Sequence, residues 1–255
     1  MKKAIICGLV ALMLAANAPD DFKSWYFVPG AKGQSPGWDA SFDLEKYNTY
    51  YLGDTSRPEI FLTFDEGYEN GFTEVILDAL RDKNVPAAFF VTKPYIKENP
   101  ELIRRMVDEG HIVGNHTVRH KSSPSLSCEE IAQELAGVCQ YFKELIGHEI
   151  PRFFRPPMGE YNQRVLEAVA NQGYATIFWS FAYADWLVDK QPGAATAHKK
   201  VTEGLHNGAI ILLHAVSSSN AEAMGDIIDT AREMGYEFKC LSQLNAAQFP
   251  PDVVN

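Results

Sequence analysis

Residues 60–82 read IFLTFDEGYENGFTEVILDALRD and hold one complete strand, loop and helix. The run Ile60–Phe64 is apolar and rich in residues that favour strands, which indicates a buried strand. The run Thr73–Arg81 places four apolar side chains on one helical face, namely Val75, Ile76, Ala79 and Leu80. Asp65 and Glu66 follow the strand directly. The stretch therefore predicts a strand–helix unit with two acids at the carboxyl end of its strand.

This alternation repeats along the rest of the chain. Runs typical of strands recur between helical patterns, at Ile60–Phe64, Ala87–Val91, His111–Asn115, Arg152–Arg155, Tyr174–Trp179, Ala209–Leu213 and Tyr236–Lys239. Helix starts are marked by Ser127 with Glu130, a capping box, and by Asn99 before Pro100. Strands that alternate with helices predict a parallel sheet. We expect an α/β fold with about seven parallel strands in an incomplete barrel; an open doubly wound sheet is the alternative.

Composition excludes several classes of protein. The chain has 255 residues, of which 46% are hydrophobic and 22% charged, as in globular proteins. Its net charge of −10 argues against binding nucleic acid or anionic lipid through bulk charge. Outside the N-terminal segment there are three cysteines, an odd number without zinc-finger spacing, at Cys128, Cys139 and Cys240. The sequence therefore does not predict a disulfide scaffold.

Three segments are predicted. In residues 1–18, Lys2 and Lys3 precede an uncharged, largely apolar stretch that ends in small residues. This is typical of a secretory signal, and an uncleaved membrane anchor is the alternative. Either interpretation exports the body of the protein across the cytoplasmic membrane, to the cell envelope or beyond. Residues 19–58, rich in glycine, proline and aromatics, predict an irregular extension that packs on the main domain at 59–255.

Reactive side chains collect at one end of the predicted strands. Seven of them follow the carboxyl ends of strands, the edge that carries the ligand in α/β folds: Asp65, Glu66, His116, His120, Arg155, Asp185 and His214. Taken alone, each has an ordinary structural explanation, such as an acidic turn, a surface histidine or a histidine satisfied in the core. His116 and His120 are four residues apart and would share a face of a helical turn, which suits one metal ion. Their joint placement favours an active site.

The order and spacing of these residues resemble a known family. The chain is similar to the polysaccharide deacetylases, carbohydrate esterase family 4, in the motifs TFDEG (63–67), HTVRH (116–120), RFFRPPMG (152–159), ADW (184–186) and LLHAVS (212–217). The resemblance implies a deformed (β/α) barrel, a NodB-like catalytic domain at 59–255, and removal of acetyl groups from sugars with one divalent metal ion. Zinc is the first expectation, and cobalt, manganese, nickel or iron are alternatives.

The resemblance also implies a role for each catalytic residue. Asp65 matches the general base that takes a proton from the attacking water, and Arg155 matches the cation that pairs with this base. His214 matches the general acid that protonates the leaving amine. Asp185 matches the acid that contacts this histidine, and a neighbouring carboxylate raises the pKa of an imidazole.

Metal and substrate contacts are implied in the same way. The metal ligands would be Glu66, His116 and His120. Substrate contacts would come from the backbone N–H of Tyr161, from the ring of Trp186, and from Pro156 and Met158. Two positions depart from the family pattern: Glu66 stands where the family usually has Asp, and Met158 where related members often carry Arg. The first moves a ligand by one methylene, and the second removes a cation that could contact the glycan.

Longer matches resemble one subgroup, the delta-lactam-biosynthetic de-N-acetylases of spore-forming bacteria. They run from about Ser24 to Leu244 and include SWYF (24–27), YLG (51–53), EGHIVGNH (109–116), FWSFAYADW (178–186) and LLHAVSSSNAEAM (212–224). The subgroup acts on peptide-free N-acetylmuramic acid of spore-cortex peptidoglycan. The resemblance thus implies a peptidoglycan glycan strand as partner, a location in the forespore intermembrane space, and an amidase that first removes the peptide. We expect a monomer.

Three other functions stay open from the sequence. A close alternative is a deacetylase of N-acetylglucosamine polymers or of another acetylated polysaccharide such as xylan. A second is a glycan-binding relative with a decayed site, although the five reactive residues Asp65, His116, His120, Arg155 and His214 are all present. A third is a non-haem iron oxygenase, because two histidines and one carboxylate also bind iron in that class. The strand–helix rhythm and the acid–base pair favour hydrolysis.

Overall fold

The structure, a computed structural model, describes residues 22–31, 33–37 and 44–244. The predicted signal at 1–18 lies outside the described residues. The strands are β1 Lys23–Ser24, β2 Thr49–Tyr50, β3 Glu59–Glu66, β4 Ala87–Val91, β5 Ile112–Asn115, β6 Phe153–Phe154, β7 Glu160–Tyr161, β8 Ala175–Ile177, β9 Phe181–Ala182, β10 Ile210–His214 and β11 Glu237–Phe238. The helices are α1 Thr73–Asp82, α2 Lys93–Glu98, α3 Pro100–Asp108, α4 Cys128–Ile146, α5 Gln163–Asn171, α6 Ala194–Glu203 and α7 Ser218–Glu233.

The main sheet has nine strands in the order β2-β8-β6-β5-β4-β3-β10-β9, with β11 also paired to β3. Every pairing in it is parallel. All seven predicted strands belong to this sheet, so the predicted parallel α/β fold is confirmed. Helices joining successive parallel strands lie against the sheet, as right-handed crossovers require.

The two faces of the sheet bury different sets of side chains. On β3, Ile60, Leu62 and Phe64 pack among the helices. Phe61, one position further along the strand, packs in a second cluster that includes Tyr50 on the edge strand β2 and Ile210 on β10, next to the opposite edge. Because side chains alternate along a strand, one face of the sheet is covered by the helices and the other face points inward. The sheet therefore curls around its inner face into an incomplete barrel.

The predicted helices are all present, and the residues at their N-termini help to explain why they begin where they do. Ser127 and Glu130 form the expected reciprocal capping box at the start of α4. Asn99 precedes α3 as expected, but its side chain does not cap that helix and instead donates to the carbonyl of Tyr95 in α2. The short helix α2 was not predicted from the sequence, because six residues are too few to show a helical period. Cys128, Cys139 and Cys240 are free.

The N-terminal extension packs on the main domain through Trp25. Its ring stacks on Phe178 at 4.4 Å between centroids, and its Nε1 donates to the carbonyl of Trp179 at 2.9 Å. Strand β1 pairs antiparallel with β7. Strand β2, which lies within the segment predicted to be irregular, instead forms the edge of the main sheet. Among the described residues, no helix is long and apolar enough to span a bilayer.

Candidate active site

A cavity of about 780 Å³ opens at the carboxyl edge of the sheet. It is lined by side chains from the ends of several strands and the loops that follow them: Asp65, Tyr68, His116, Arg119, His120, Met158, Gly159, Trp179, Trp186 and His214. The parallel register brings these distant parts of the chain to one edge. Of the seven reactive residues identified in the sequence, four line this cavity: Asp65, His116, His120 and His214.

At the base of the cavity, Asp65 forms an ion pair with the buried Arg155. Arg155 is fully buried, and its Nη1 donates to Oδ1 of Asp65 at 2.9 Å. Its Nε and Nη2 donate to the carbonyls of Ile177 and Phe178, so the guanidinium is held by fixed backbone partners. Burial would raise the pKa of Asp65, but Arg155 and the nearby histidines hold it below the usual value. Asp65 is therefore ionised at neutral pH, and Oδ1 is occupied by Arg155.

His214 is oriented by two hydrogen bonds to Asp185. The fully buried Asp185 places Oδ1 2.7 Å from Nδ1 of His214 and accepts the backbone N–H of His214 on Oδ2 at 2.8 Å. Burial would lower the pKa of His214, but the Asp185 carboxylate raises it above the ordinary value. Asn220, fully buried, donates to Oδ2 of Asp185 at 2.6 Å. Sequence reasoning missed Asn220, although a polar residue on the apolar face of a helix was a usable signal.

His116 and His120 meet at the edge of the same cavity. Their ring centroids are 4.9 Å apart. Nδ1 of His116 lies 2.8 Å from the carbonyl of Arg155, which makes this nitrogen the donor and leaves Nε2 toward Asp65, 3.7 Å from its Oδ2. Burial lowers the pKa of His116 to about 4, so the imidazole is neutral at pH 7.

The loop that carries the two histidines has a strained backbone. Thr117 and His120 both adopt positive φ, 71° and 51°, which side chains with a Cβ rarely do. Buried polar groups hold this shape. Oδ1 of Asn115 accepts the N–H of Thr117, and Oε2 of Glu134 accepts the N–H groups of Val118 and Arg119 at 2.7 and 2.8 Å. Glu134 on α4 was missed, yet an acid among the apolar positions of a helix is a readable signal.

Glu66 does not join the two histidines. It lies one residue beyond Asp65 on β3 and so points to the helix-facing side, where it is fully buried. Neither of its carboxylate oxygens has a hydrogen-bond partner. Burial raises its pKa well above the usual value, and Glu69 and Asp65 add to this. The predicted ligand set of Glu66, His116 and His120 is therefore not assembled in this structure.

The donor set does not fit the expected divalent metal as a three-ligand site. Across the described ranges, no group of three or more histidine, cysteine, aspartate or glutamate side chains is arranged to hold an ion. His116 and His120 are the two imidazoles in position, and the carboxylate beside them is Asp65, which Arg155 already binds. The physical reason is the period of the strand, which sends consecutive side chains to opposite faces.

The four predicted substrate contacts divide into two pairs. Met158 and Trp186 line the cavity and are 54% and 49% exposed. Trp186 also lies edge-on to His214, with ring centroids 5.6 Å apart. Tyr161 and Pro156 are buried beneath the cavity and are not among its lining residues. The ring of Tyr161 packs instead against Trp25 and Phe178.

Comparison with known proteins agrees with this geometry. A family model described as polysaccharide deacetylase matches residues 52–177. The peptidoglycan-N-acetylmuramic acid deacetylase PdaA of Bacillus subtilis is 39% identical over 249 residues, 94% of each chain. A chitooligosaccharide deacetylase of Bradyrhizobium is 36% identical over 76% of this chain and 94% of its own.

Solved structures give the same result. The structure of Bacillus subtilis PdaA, a family 4 carbohydrate esterase, superimposes with a TM-score of 0.85 at 40% identity. The match covers 89% of this chain and 98% of that one. Fold, cavity and sequence similarity therefore agree, and the chain belongs to the polysaccharide deacetylase family, carbohydrate esterase family 4, as a hydrolase.

Proposed function

We propose that the protein hydrolyses the N-acetyl amide of peptide-free N-acetylmuramic acid in peptidoglycan, as a step toward muramic delta-lactam in the spore cortex. One observation carries the reaction class. The parallel register pairs His214 on β10 with Asp65 on β3, so an ionised carboxylate and an imidazole of raised pKa stand side by side at one cavity. Two neighbouring titratable groups whose surroundings shift their pKa values in opposite directions are typical of a general acid–base pair.

Asp65 acts as the base. Arg155 occupies Oδ1 and keeps the carboxylate ionised, so Oδ2 is the oxygen that accepts a proton from the attacking water. The water oxygen then bonds to the acetyl carbonyl carbon. Neutral His116, whose Nε2 lies 3.7 Å from Oδ2, borders the space in which this water must sit.

His214 acts as the acid. Asp185 fixes the ring through Nδ1, so Nε2 is the nitrogen that delivers a proton to the leaving amine. The carbon–nitrogen bond breaks, and the products are acetate and a free amino sugar. Asp185 is a positioning residue here, because it acts on the substrate only through His214.

The sugar is proposed from similarity. The Bacillus subtilis relative, similar over nearly the whole chain, is named for N-acetylmuramic acid. The pattern at 1–18 supports export, and the subgroup resemblance supports the forespore intermembrane space and a preceding muramoyl amidase. A monomer remains our prediction.

Acetate release tests the proposal. Purified residues 19–255 would be incubated with peptide-free glycan strands, peptide-bearing strands and N-acetylglucosamine oligomers. Since deacetylases of this family generally depend on a metal ion, each assay would be run with zinc, cobalt, manganese or nickel and with chelator. We expect release from the peptide-free strands only, with loss in Asp65→Asn. Release from the N-acetylglucosamine oligomers alone would instead support the chitooligosaccharide activity named for the Bradyrhizobium relative.

A further inference from the structure

Among the described residues, a single permanently charged cation lines the cavity. Arg119 is the only lysine or arginine among its lining residues in the part of the chain that the structure describes. Met158, on the turn after Arg155, lines the same cavity with an uncharged thioether. A cation therefore reaches this cavity from the loop of His116 and His120 and not from the turn after Arg155.

The guanidinium of Arg119 is held with its tip free. Its Nε donates to Oε1 of Glu134, and its own backbone N–H donates to Oε2 of the same carboxylate. Its two terminal nitrogens, Nη1 and Nη2, have no partner among the described residues. The side chain remains 45% exposed, whereas that of Glu134 is only 3% exposed. The tip of the guanidinium thus offers two parallel N–H donors that a carboxylate can accept.

We propose that Arg119 binds the lactyl carboxylate of N-acetylmuramic acid and so determines which sugar is deacetylated. This inference rests on the proposed function. N-acetylmuramic acid differs from N-acetylglucosamine by a lactyl ether on C3, the carbon next to the acetamido carbon. A group on C3 must therefore lie within a few bonds of the amide placed between Asp65 and His214. Arg119 follows His116 by three residues and lines the same cavity.

A contact between Arg119 and the lactyl carboxylate accounts for selectivity between sugars and for selectivity between peptide-free and peptide-bearing strands. N-acetylglucosamine has no carboxylate for the guanidinium tip to bind. A peptide stem converts the lactyl carboxylate into an amide, which carries no charge and offers a single acceptor oxygen. A cation here therefore favours the muramic residue over the neutral sugar and the peptide-free strand over the peptide-bearing one.

Glu134 does not cancel this charge at the cavity. Its two oxygens accept three N–H groups, from Val118, from the backbone of Arg119 and from Nε. It is buried beneath the loop, while the guanidinium tip is on the exposed side. The acid thus positions the arginine, as bidentate recognition of a carboxylate requires.

The test compares matched glycans and matched variants. The glycans are peptide-free strands, the same strands with their lactyl carboxylates converted to neutral amides, and N-acetylglucosamine oligomers. The variants are Arg119→Gln, Arg119→Lys, the double variant Arg119→Gln/Met158→Arg, and Arg104→Gln as a control on the exposed face of α3. Acetate release gives kcat/KM for each pair.

We expect the wild type to prefer carboxylate over amidated strands by about tenfold, the scale of a partly exposed charge-assisted pair. Arg119→Gln should bring the ratio of the two kcat/KM values close to one. Arg119→Lys should keep part of the preference, and Met158→Arg should restore part of it in the double variant. Arg104→Gln should keep the wild-type ratio. A ratio that Arg119→Gln leaves at the wild-type value would overturn the inference.

A binding measurement separates this inference from the proposed function. Tryptophan fluorescence, with Trp186 and Trp179 in the cavity, would follow titration with N-acetylmuramic acid or N-acetylglucosamine. Tighter binding of the acid that is lost in Arg119→Gln supports the inference, even if no glycan releases acetate and the proposed function fails. Equal affinity for both sugars in the wild type would overturn the inference, even if acetate is released.

Discussion

At the scale of single residues, different neighbours shift the pKa values of Asp65 and His214 in opposite directions. Arg155 holds the pKa of Asp65 below its usual value, and Asp185 holds that of His214 above its own. Activity needs the first ionised and the second protonated. The activity should therefore rise at acidic pH with Asp65, stay high through neutral pH, and fall on the alkaline side as His214 loses its proton.

Asp185→Asn should move the alkaline limb of this profile to lower pH. The amide removes the negative charge that raises the pKa of His214, so the imidazole loses its proton earlier. The loss in kcat should be about 10²- to 10⁴-fold, the range for a general acid. The measurement is kcat against pH for wild type and variant. The acid limb, which belongs to Asp65, should stay in place; an unmoved alkaline limb would contradict the assignment of His214.

Glu66→Gln distinguishes the ligand role implied by the family from the position seen in the structure. Glu66 is buried on the helix-facing side without a hydrogen-bond partner, and burial raises the pKa of its carboxyl, which favours the protonated form. We expect the variant to retain deacetylase activity and its response to added metal, whereas His116→Gln should lose both. Loss of the metal response in Glu66→Gln would contradict the structural placement.

The same variant should also change how stability depends on pH. A carboxyl whose folded pKa is raised holds its proton in the folded state after the unfolded chain has released it. The wild type therefore loses stability as pH rises from the ordinary range of a glutamate toward neutrality, and Glu66→Gln does not. At pH 7 the variant should therefore be more stable than the wild type, with little difference near pH 4. Urea unfolding at both pH values measures this.

At the scale of elements, the histidine loop depends on the close approach of α4. Gly137 lies in the middle of this helix, and a Cβ added there would lie 2.6 Å from Cγ2 of Val118. Val118 is part of the strained loop between His116 and His120. Glycine at position 137 is less favourable for the helix than alanine by about 1 kcal/mol, but it allows the loop to pack against α4.

Gly137→Ala should therefore destabilise the protein and lower kcat/KM together. Overpacking against a β-branched side chain costs about 1–3 kcal/mol, which exceeds the gain in helix propensity. Val118→Ala in the same chain should recover part of both losses, as a double-mutant cycle would show. Gly225→Ala on α7 is the matched control, because the nearest atom to its Cβ is Cε of Lys83 at 4.0 Å. A stability gain in both glycine variants would contradict the contact.

At the scale of the whole molecule, the N-terminal extension supports the floor of the cavity. Trp25 is 6% exposed and stacks on Phe178, and its backbone N–H donates to the carbonyl of Gly159 at 2.8 Å. Gly159 and Trp179 both line the cavity. The extension is therefore joined to the active site through packing and hydrogen bonds, although none of its described residues is among those that line the cavity.

Trp25→Ala should lower the free energy of unfolding by about 3–5 kcal/mol, the usual cost of removing a buried tryptophan. It should also reduce kcat/KM, because Gly159 and Trp179 lose their support. Tyr26→Ala, next to it and 55% exposed, should change stability by less than about 0.5 kcal/mol. Denaturant unfolding and acetate release would be measured on both. Equal effects of the two substitutions would show that the extension does not pack as described.

The local pattern of the sequence was enough to predict the parallel α/β architecture. Apolar strand runs, helical periods and caps such as Ser127 with Glu130 act over a few residues, so they can be read from neighbours in the chain. The same reasoning placed Asp65, His116 and His214 at one edge, since parallel strands share their carboxyl ends. The motifs then indicated the family, which the similarity to known deacetylases confirms.

Only the tertiary structure decided which side chains meet. Glu66 was expected beside the histidines, but the regular alternation of β3 continues through its last residue and turns it to the opposite face. Asn220 and Glu134, distant in sequence, reach Asp185 and the histidine loop because α7 and α4 pack against those strand ends. Such contacts depend on helix packing and strand register across long separations in the chain. The local sequence can mark such polar residues as unusual but does not show which partners they contact, whereas it does carry the signal for strands and helices.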